Sequence, residues 1–194
     1  MKLKTLTLPL AALSLALAAV TASAQPSIDG KWFSYGSRLN PPANLPVPVP
    51  EPIPDPPLKA EYLDAWRAER AMFADAEARG EPIATGYTHC LPDGMPTMMQ
   101  GMFPMEVLES KGQVTIIQEA YQQIRRVYLT DEPLMPWEEA EPRFWGHSVG
   151  KWEGSVLVTS TVGIKESVMF RNVPHSAAME IHERIYLEDE DHMV

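Results

Sequence analysis

The sequence predicts a mainly β protein: an antiparallel meander closing as a barrel-like (lipocalin-like) or strongly curved sheet, with one helix ahead of it. Three observations carry this. From Pro104 onward, short runs rich in Val, Ile, Thr and Tyr recur between turn residues. Two pairs of runs are joined by glycine-bearing segments of hairpin length, Ser110-Lys111-Gly112 and Gly150-Lys151-Trp152-Glu153-Gly154. No helical pattern alternates with these strands, which excludes a doubly wound nucleotide-binding sheet.

The chain opens as a secretory leader. Lys2 and Lys4 form a basic start, Leu8 to Val20 is almost unbroken apolar sequence, and Ala22-Ser23-Ala24 is a small-residue cleavage site. Residues 1–24 are therefore read as a signal peptide and the mature chain as a periplasmic or secreted protein. No later stretch is apolar for long enough to span a bilayer, so no membrane insertion is expected after cleavage.

Residues 25–57 are expected to hold a short strand, Ile28 to Gly36, and then a strap. Nine prolines fall between positions 41 and 57, a density that favours extended polyproline II. An amphipathic helix follows over 58–80, with Asp55 as its cap, Pro56 in its first turn and Gly80 at its end. Tyr62, Leu63, Trp66, Phe73 and Ala76 share one face of it, as for a lid or brace packed on the β domain.

Residues 81–194 form the β domain. Its expected strands are Met105–Glu109, Gln113–Glu119, Ile124–Leu129, Phe144–Val149, Ser155–Val162 and Met179–Leu187, with a proline-broken loop over 131–142. Glu188 to Asp191 reads as a polar turn, and the sequence stops at Val194 as a return strand would begin. An unpaired terminal strand exposes its backbone edge, so the domain is expected to be incomplete at its C-terminus.

The formal net charge of −10 argues against nucleic acid as a partner, because a surface of that sign repels phosphates. The leader contributes two lysines and no acid, so the rest of the chain is more acidic still. Cys90 is the only cysteine, which leaves three accounts open: an intermolecular disulfide, a metal ligand, or a partner outside this sequence.

Several motifs carry candidate chemistry. Gly146-His147-Ser148-Val149-Gly150 matches G-x-S-x-G, but a nucleophile elbow needs a strand before the serine and a helix after it. Here an acidic, proline-broken stretch precedes it and a β-branched run follows, so Ser148 is expected to be a pocket or packing residue. The sulfurs of Cys90, Met98, Met99, Met102 and Met105 are soft donors that would suit Cu(I), with His89 adding a nitrogen; methionines filling gaps under a covering loop is the competing account. Spacings of the H-x-x-x-H or C-x-x-C type are absent, so no zinc site is expected, and no cofactor motif is present.

Strand alternation sends neighbours to opposite faces. One of Arg125/Arg126 and one of Glu183/Arg184 must therefore face inward if the sheet curls, either as a ligand's polar anchor or as a satisfied ion network. His175, in a loop at a strand mouth, is the candidate general base, with Glu119 as its carboxylate partner.

These blocks, in order, resemble a family of poorly characterised secreted bacterial proteins. The matching residues run from Cys90-Leu91-Pro92 and Gly94-Met95-Pro96 through Gln113 to Ile116, Glu119 and Arg125 to Leu129. They continue through Trp145 to Gly154, Leu157-Val158, Pro174-His175-Ser176 and Glu183-Arg184. The resemblance implies an extracytoplasmic β-rich domain and names no activity. Family members usually carry aspartate where this chain has Ser155, and often glutamate where it has Ala177. They also tend to run on to a late cysteine, which the resemblance would make the partner of Cys90.

The leading expectation is a domain that binds a small, largely apolar ligand. Trp32, Trp145 and Trp152 would wall the pocket, with Arg125, Arg126, Ser148, Glu183 and Arg184 supplying polar anchors. The alternatives are a small enzyme for proton transfer, lyase or hydrolytic chemistry using His175 and Glu119, and Cu(I) binding by the methionine loop.

Overall fold

The computed structural model describes residues 27–34, 55–83, 87–100, 103–170 and 173–194. The leader, most of the proline-rich strap, Met102 and the end of the first expected strand lie outside these residues.

Seven strands make one sheet in sequence order, curled into a half-barrel. They are β1 (Gly30–Trp32), β2 (Met105–Ser110), β3 (Gln113–Gln118), β4 (Gln123–Leu129), β5 (His147–Glu153), β6 (Val156–Val162) and β7 (Ile181–Ile185), and one helix, α1 (Ala60–Ala78), lies between β1 and β2. The expected mainly β, strongly curved meander is what the chain forms.

One pairing departs from the antiparallel expectation. β4 and β5 run parallel, with Val127 opposite Ser148 and Leu129 opposite Gly150. A parallel neighbour needs a connection long enough to return to the strand's start, and residues 130–146 provide it. The β5–β6 hairpin also lies later than expected: Glu153 pairs with Val156, so the turn is Gly154-Ser155 and Gly150 belongs to the strand. Gly150 reads as a turn signal in sequence, but it is there because β5 passes close over its neighbours.

The inward residues form a continuous surface across the sheet. Val107, Ile116, Val114 and Val127 are fully buried on one side, Leu157 and Ile185 on the other. Met95 and Met98 join them from the 91–100 loop, both with no exposed surface, and Met99 packs alongside. Each such methionine withdrawn from water stabilises the fold by about 1.5–3 kcal/mol.

α1 starts later than expected. Asp55 does not cap it; the position before the helix is Lys59, which makes no side-chain cap bond. Asp55 precedes a Pro-Pro pair, and proline disfavours the α region in the residue before it. Its carboxylate instead pairs with Arg67, two turns along the helix surface. Trp66 is the buried residue of α1, but the helix makes no extensive contact with any strand, so the expected bracing of the sheet is not seen among the described residues.

At the C-terminus the polar turn folds the last residues back onto the end of β7. Tyr186 and Val194 exchange backbone hydrogen bonds of 2.9 and 2.8 Å, and Leu187 bridges Met193.

Candidate functional site

Strand alternation resolves both charged pairs. Arg125 and Glu183 face inward, while Arg126 and Arg184 face out. Arg125 is 1 % exposed, and its guanidinium reaches across the concave face from β4 to β7. Nε donates to Ser148 Oγ on β5 (3.2 Å) and Nη2 to Thr161 Oγ1 on β6 (3.1 Å). Nη1 donates to Glu183 Oε1 on β7 (3.0 Å), and Nη2 pairs with Glu183 Oε2. Thr159 Oγ1 donates to Glu183 Oε2 at 2.9 Å, and the Ser148 and Thr161 hydroxyls share a bond of 2.7 Å. Both carboxylate oxygens and the serine hydroxyl are thus occupied by protein partners. The cluster is a satisfied ion network, and its members hold one another rather than an external group.

This disposes of the G-x-S-x-G match. Ser148 is a buried strand residue between Arg125 and Thr161, with no strand-turn-helix around it.

A second buried network fastens the methionine loop. Gln118 Nε2 donates to the Met98 carbonyl (2.8 Å), Gln123 Nε2 to Gln118 Oε1 (2.6 Å), and the Gly94 N–H to Gln123 Oε1 (2.9 Å). Trp145 Nε1 donates to the same Gln123 oxygen at 3.3 Å. Buried glutamines at facing positions of β3 and β4 were not singled out from sequence. The signal was available: Gln118 continues the inward series of Val114 and Ile116 in β3, and Gln123 that of Arg125 and Val127 in β4. In this loop Met95 and Met98 serve as core side chains, and Cys90 is exposed.

The remaining expected residues are dispersed. Trp152 packs against the core. Arg184 is exposed, 3.8 Å from Glu153. The three expected tryptophans stand apart: Trp32 at the sheet's edge, Trp145 at the mouth between β4 and β5, and Trp152 half-buried against the core from β5. His175 and Glu119 are not joined by a hydrogen bond or ion pair. Nδ1–H of His175 donates to the Ser176 carbonyl (2.9 Å), and its Nε2 is buried without a partner among the described residues. Glu119 is exposed at the start of a short turn.

A cleft of about 730 Å³ opens between the two sheet edges. Trp32 and Phe33 of the β1 segment form one side, Ile185 and Met193 the other, and Met99 and Met105 the floor. Trp32 is held by donation from Nε1 to the Ile28 carbonyl at 2.9 Å. The rim carries Asp29, Glu190 and Asp191 against Lys31 and His192. His192 Nδ1 lies 2.7 and 2.8 Å from the two Asp189 oxygens. That hydrogen bond raises the His192 pKa above its ordinary 6.5 and lowers that of Asp189 below its ordinary 3.8.

No group of three or more His, Cys, Asp or Glu side chains among the described residues could hold a metal ion. In comparisons with protein families, curated proteins and solved structures, the chain matches none at a significant level.

Proposed function

We propose that this chain is an extracytoplasmic domain that binds a small, largely apolar ligand in the cleft between β1 and the C-terminal hairpin. The cleft itself carries the reading. Its volume falls within the roughly 300–1,000 Å³ of small-molecule pockets, and its walls are aromatic and thioether surfaces of the kind such pockets use. Methionines adapt to ligand shape, and Trp32 offers a rigid face whose indole N–H is already occupied. Three rim carboxylates disfavour an anionic head group, so the ligand is neutral or cationic at its polar end. The leader-like N-terminus supports a location outside the cytoplasm, where apolar molecules need a protein surface to shelter them.

The test is a titration with N-phenyl-1-naphthylamine, a neutral apolar fluorophore that brightens when withdrawn from water. Trp32→Ala should weaken its binding by roughly tenfold or more, on the scale of a lost aromatic contact. Phe33 is 61 % exposed, so Phe33→Ala leaves the fold intact and should weaken binding in the same direction. Unchanged affinity in both variants, each folded by circular dichroism, would remove the cleft as the site.

A further inference from the structure

On the opposite, convex face lies a second cavity of about 300 Å³ with the reverse chemistry. It exists because of the parallel β4–β5 pair. Register between these strands begins only at Val127 and Ser148, so Gln123–Arg126 of β4 have no partner strand on that side. The chain entering β5 through Arg143, Trp145 and His147 walls off the resulting notch. Ile124, Arg126 and Tyr128, the outward residues of β4, form the other wall.

Two guanidinium groups and an imidazole line this notch, and no carboxylate does. The backbone of Arg126 belongs to the β3–β4 ladder, and among the described residues its side chain has no ion pair or hydrogen bond. Arg143 is paired with Glu141 at 3.2 Å, both being more than half exposed, an arrangement of little strength that a better-placed anion can displace. His147 donates Nε2–H to the Glu141 carbonyl at 2.8 Å, which fixes the ring against the rim. Trp145 is anchored from behind by its bond to Gln123, so the aromatic wall is set by the buried glutamine network before any ligand arrives. An unpaired arginine beside fixed aromatic surfaces is the combination that recognises a planar anion: the guanidinium forks onto the oxygens while rings stack on the apolar body.

We infer that this notch is a binding site for a small aromatic carboxylate, distinct from the cleft at the sheet edges. Size and field both restrict the ligand. The cavity sits at the lower end of small-molecule pockets, and the chain's net charge of −10 opposes the approach of an anionic polymer or membrane.

Benzoate, its uncharged counterpart benzamide and inorganic phosphate serve as probes, followed by amide chemical shifts in ¹⁵N spectra of the folded protein. Benzoate should move the signals of Arg126, Tyr128, Gly146 and His147 in a saturable way, with benzamide weaker by at least about tenfold. Arg126→Gln should reduce benzoate affinity by a similar factor, and Arg126→Lys should recover only part of it, because an ammonium cannot fork onto two oxygens. Arg126 is exposed, so these variants do not threaten folding. Equal binding of benzoate and benzamide, no saturable shift with benzoate, or unchanged affinity in Arg126→Gln would each overturn the inference. Phosphate binding as tightly as benzoate would overturn the aromatic part and leave a simple oxyanion pocket. Naphthylamine binding at the edge cleft should be indifferent to Arg126→Gln, so the two sites succeed or fail separately.

Discussion

Gly146 and Gly150 flank Ser148 for reasons of space, not catalysis. A Cβ on Gly150 would sit 2.8 Å from Val127 Cγ1 and 3.0 Å from the Val158 carbonyl oxygen. On Gly146 it would sit 2.5 Å from the Val162 carbonyl oxygen, on a backbone with φ of +62°. Gly150→Ala should therefore cost about 1–3 kcal/mol from overpacking. Gly146→Ala should cost more, since a left-handed backbone and a backbone clash act together. Urea denaturation measures both; a Gly146→Ala midpoint equal to that of the parent would refute the close approach. None of this is legible in the sequence, because a glycine that makes a turn and a glycine that makes room look alike there. Strand periodicity was legible. It required one of Arg125/Arg126 and one of Glu183/Arg184 to face inward, and the sheet's register chose Arg125 and Glu183.

Among the elements, the β2–β3 hairpin was the most readable, while the β5–β6 turn and the start of the helix were displaced. The β2–β3 hairpin lies where its Ser-Lys-Gly turn placed it, because a turn's backbone demand is local. The start of α1 was misplaced, because Asp55 is a good capping residue held out of position by Pro56 and Pro57. The C-terminal hairpin offers a pH-dependent test. His192, with its folded pKa raised, contributes stability that is full below about 6.5 and is lost as pH rises through the raised value. Asp189, with its pKa lowered, contributes stability that is present above about 3.8 and is lost as pH falls through the lowered value. The turn is thus best ordered between those two ordinary values. In a proton NMR titration His192 should titrate above 6.5, and in Asp189→Asn it should fall back toward that value. No change on substitution would show that the pair does not form in solution.

At the scale of the molecule, Arg125 is the cross-brace of the half-barrel. One side chain engages β5, β6 and β7 from β4, and so ties the curl across the parallel junction. Arg125→Ala leaves Glu183 buried without its cation and should destabilise by about 3–5 kcal/mol, read from equilibrium urea unfolding. The double variant Arg125→Met, Glu183→Leu should recover much of that loss, since an apolar pair needs no desolvation offset. If the double variant is as unstable as Arg125→Ala, the network contributes something other than charge compensation. The curl also separates two surfaces of opposite charge, an acid-rimmed cleft with aromatic and methionine walls at the sheet edges and a cationic aromatic notch on the convex face. The sequence placed Trp32, Arg126, Trp145 and Ser148 in one pocket, whereas Trp32 lines the cleft and the other three line the notch. The cleft joins the two ends of the sheet, residues 29–34 and 185–194, the notch joins consecutive strands through their unexpected parallel pairing, and both depend on where the sheet stops pairing.

The sequence by itself determined the class of the fold, the order of its strands, the β2–β3 turn and the alternation of its faces. These follow from interactions between residues a few positions apart, so they are written in local pattern. Only the tertiary structure decided that β4 and β5 run parallel, that Arg125 and Glu183 satisfy each other, and that Trp32, Trp145 and Trp152 stand in three different places. Those outcomes depend on contacts across strands and on a 17-residue return, residues 130–146, for which no local periodicity encodes a direction.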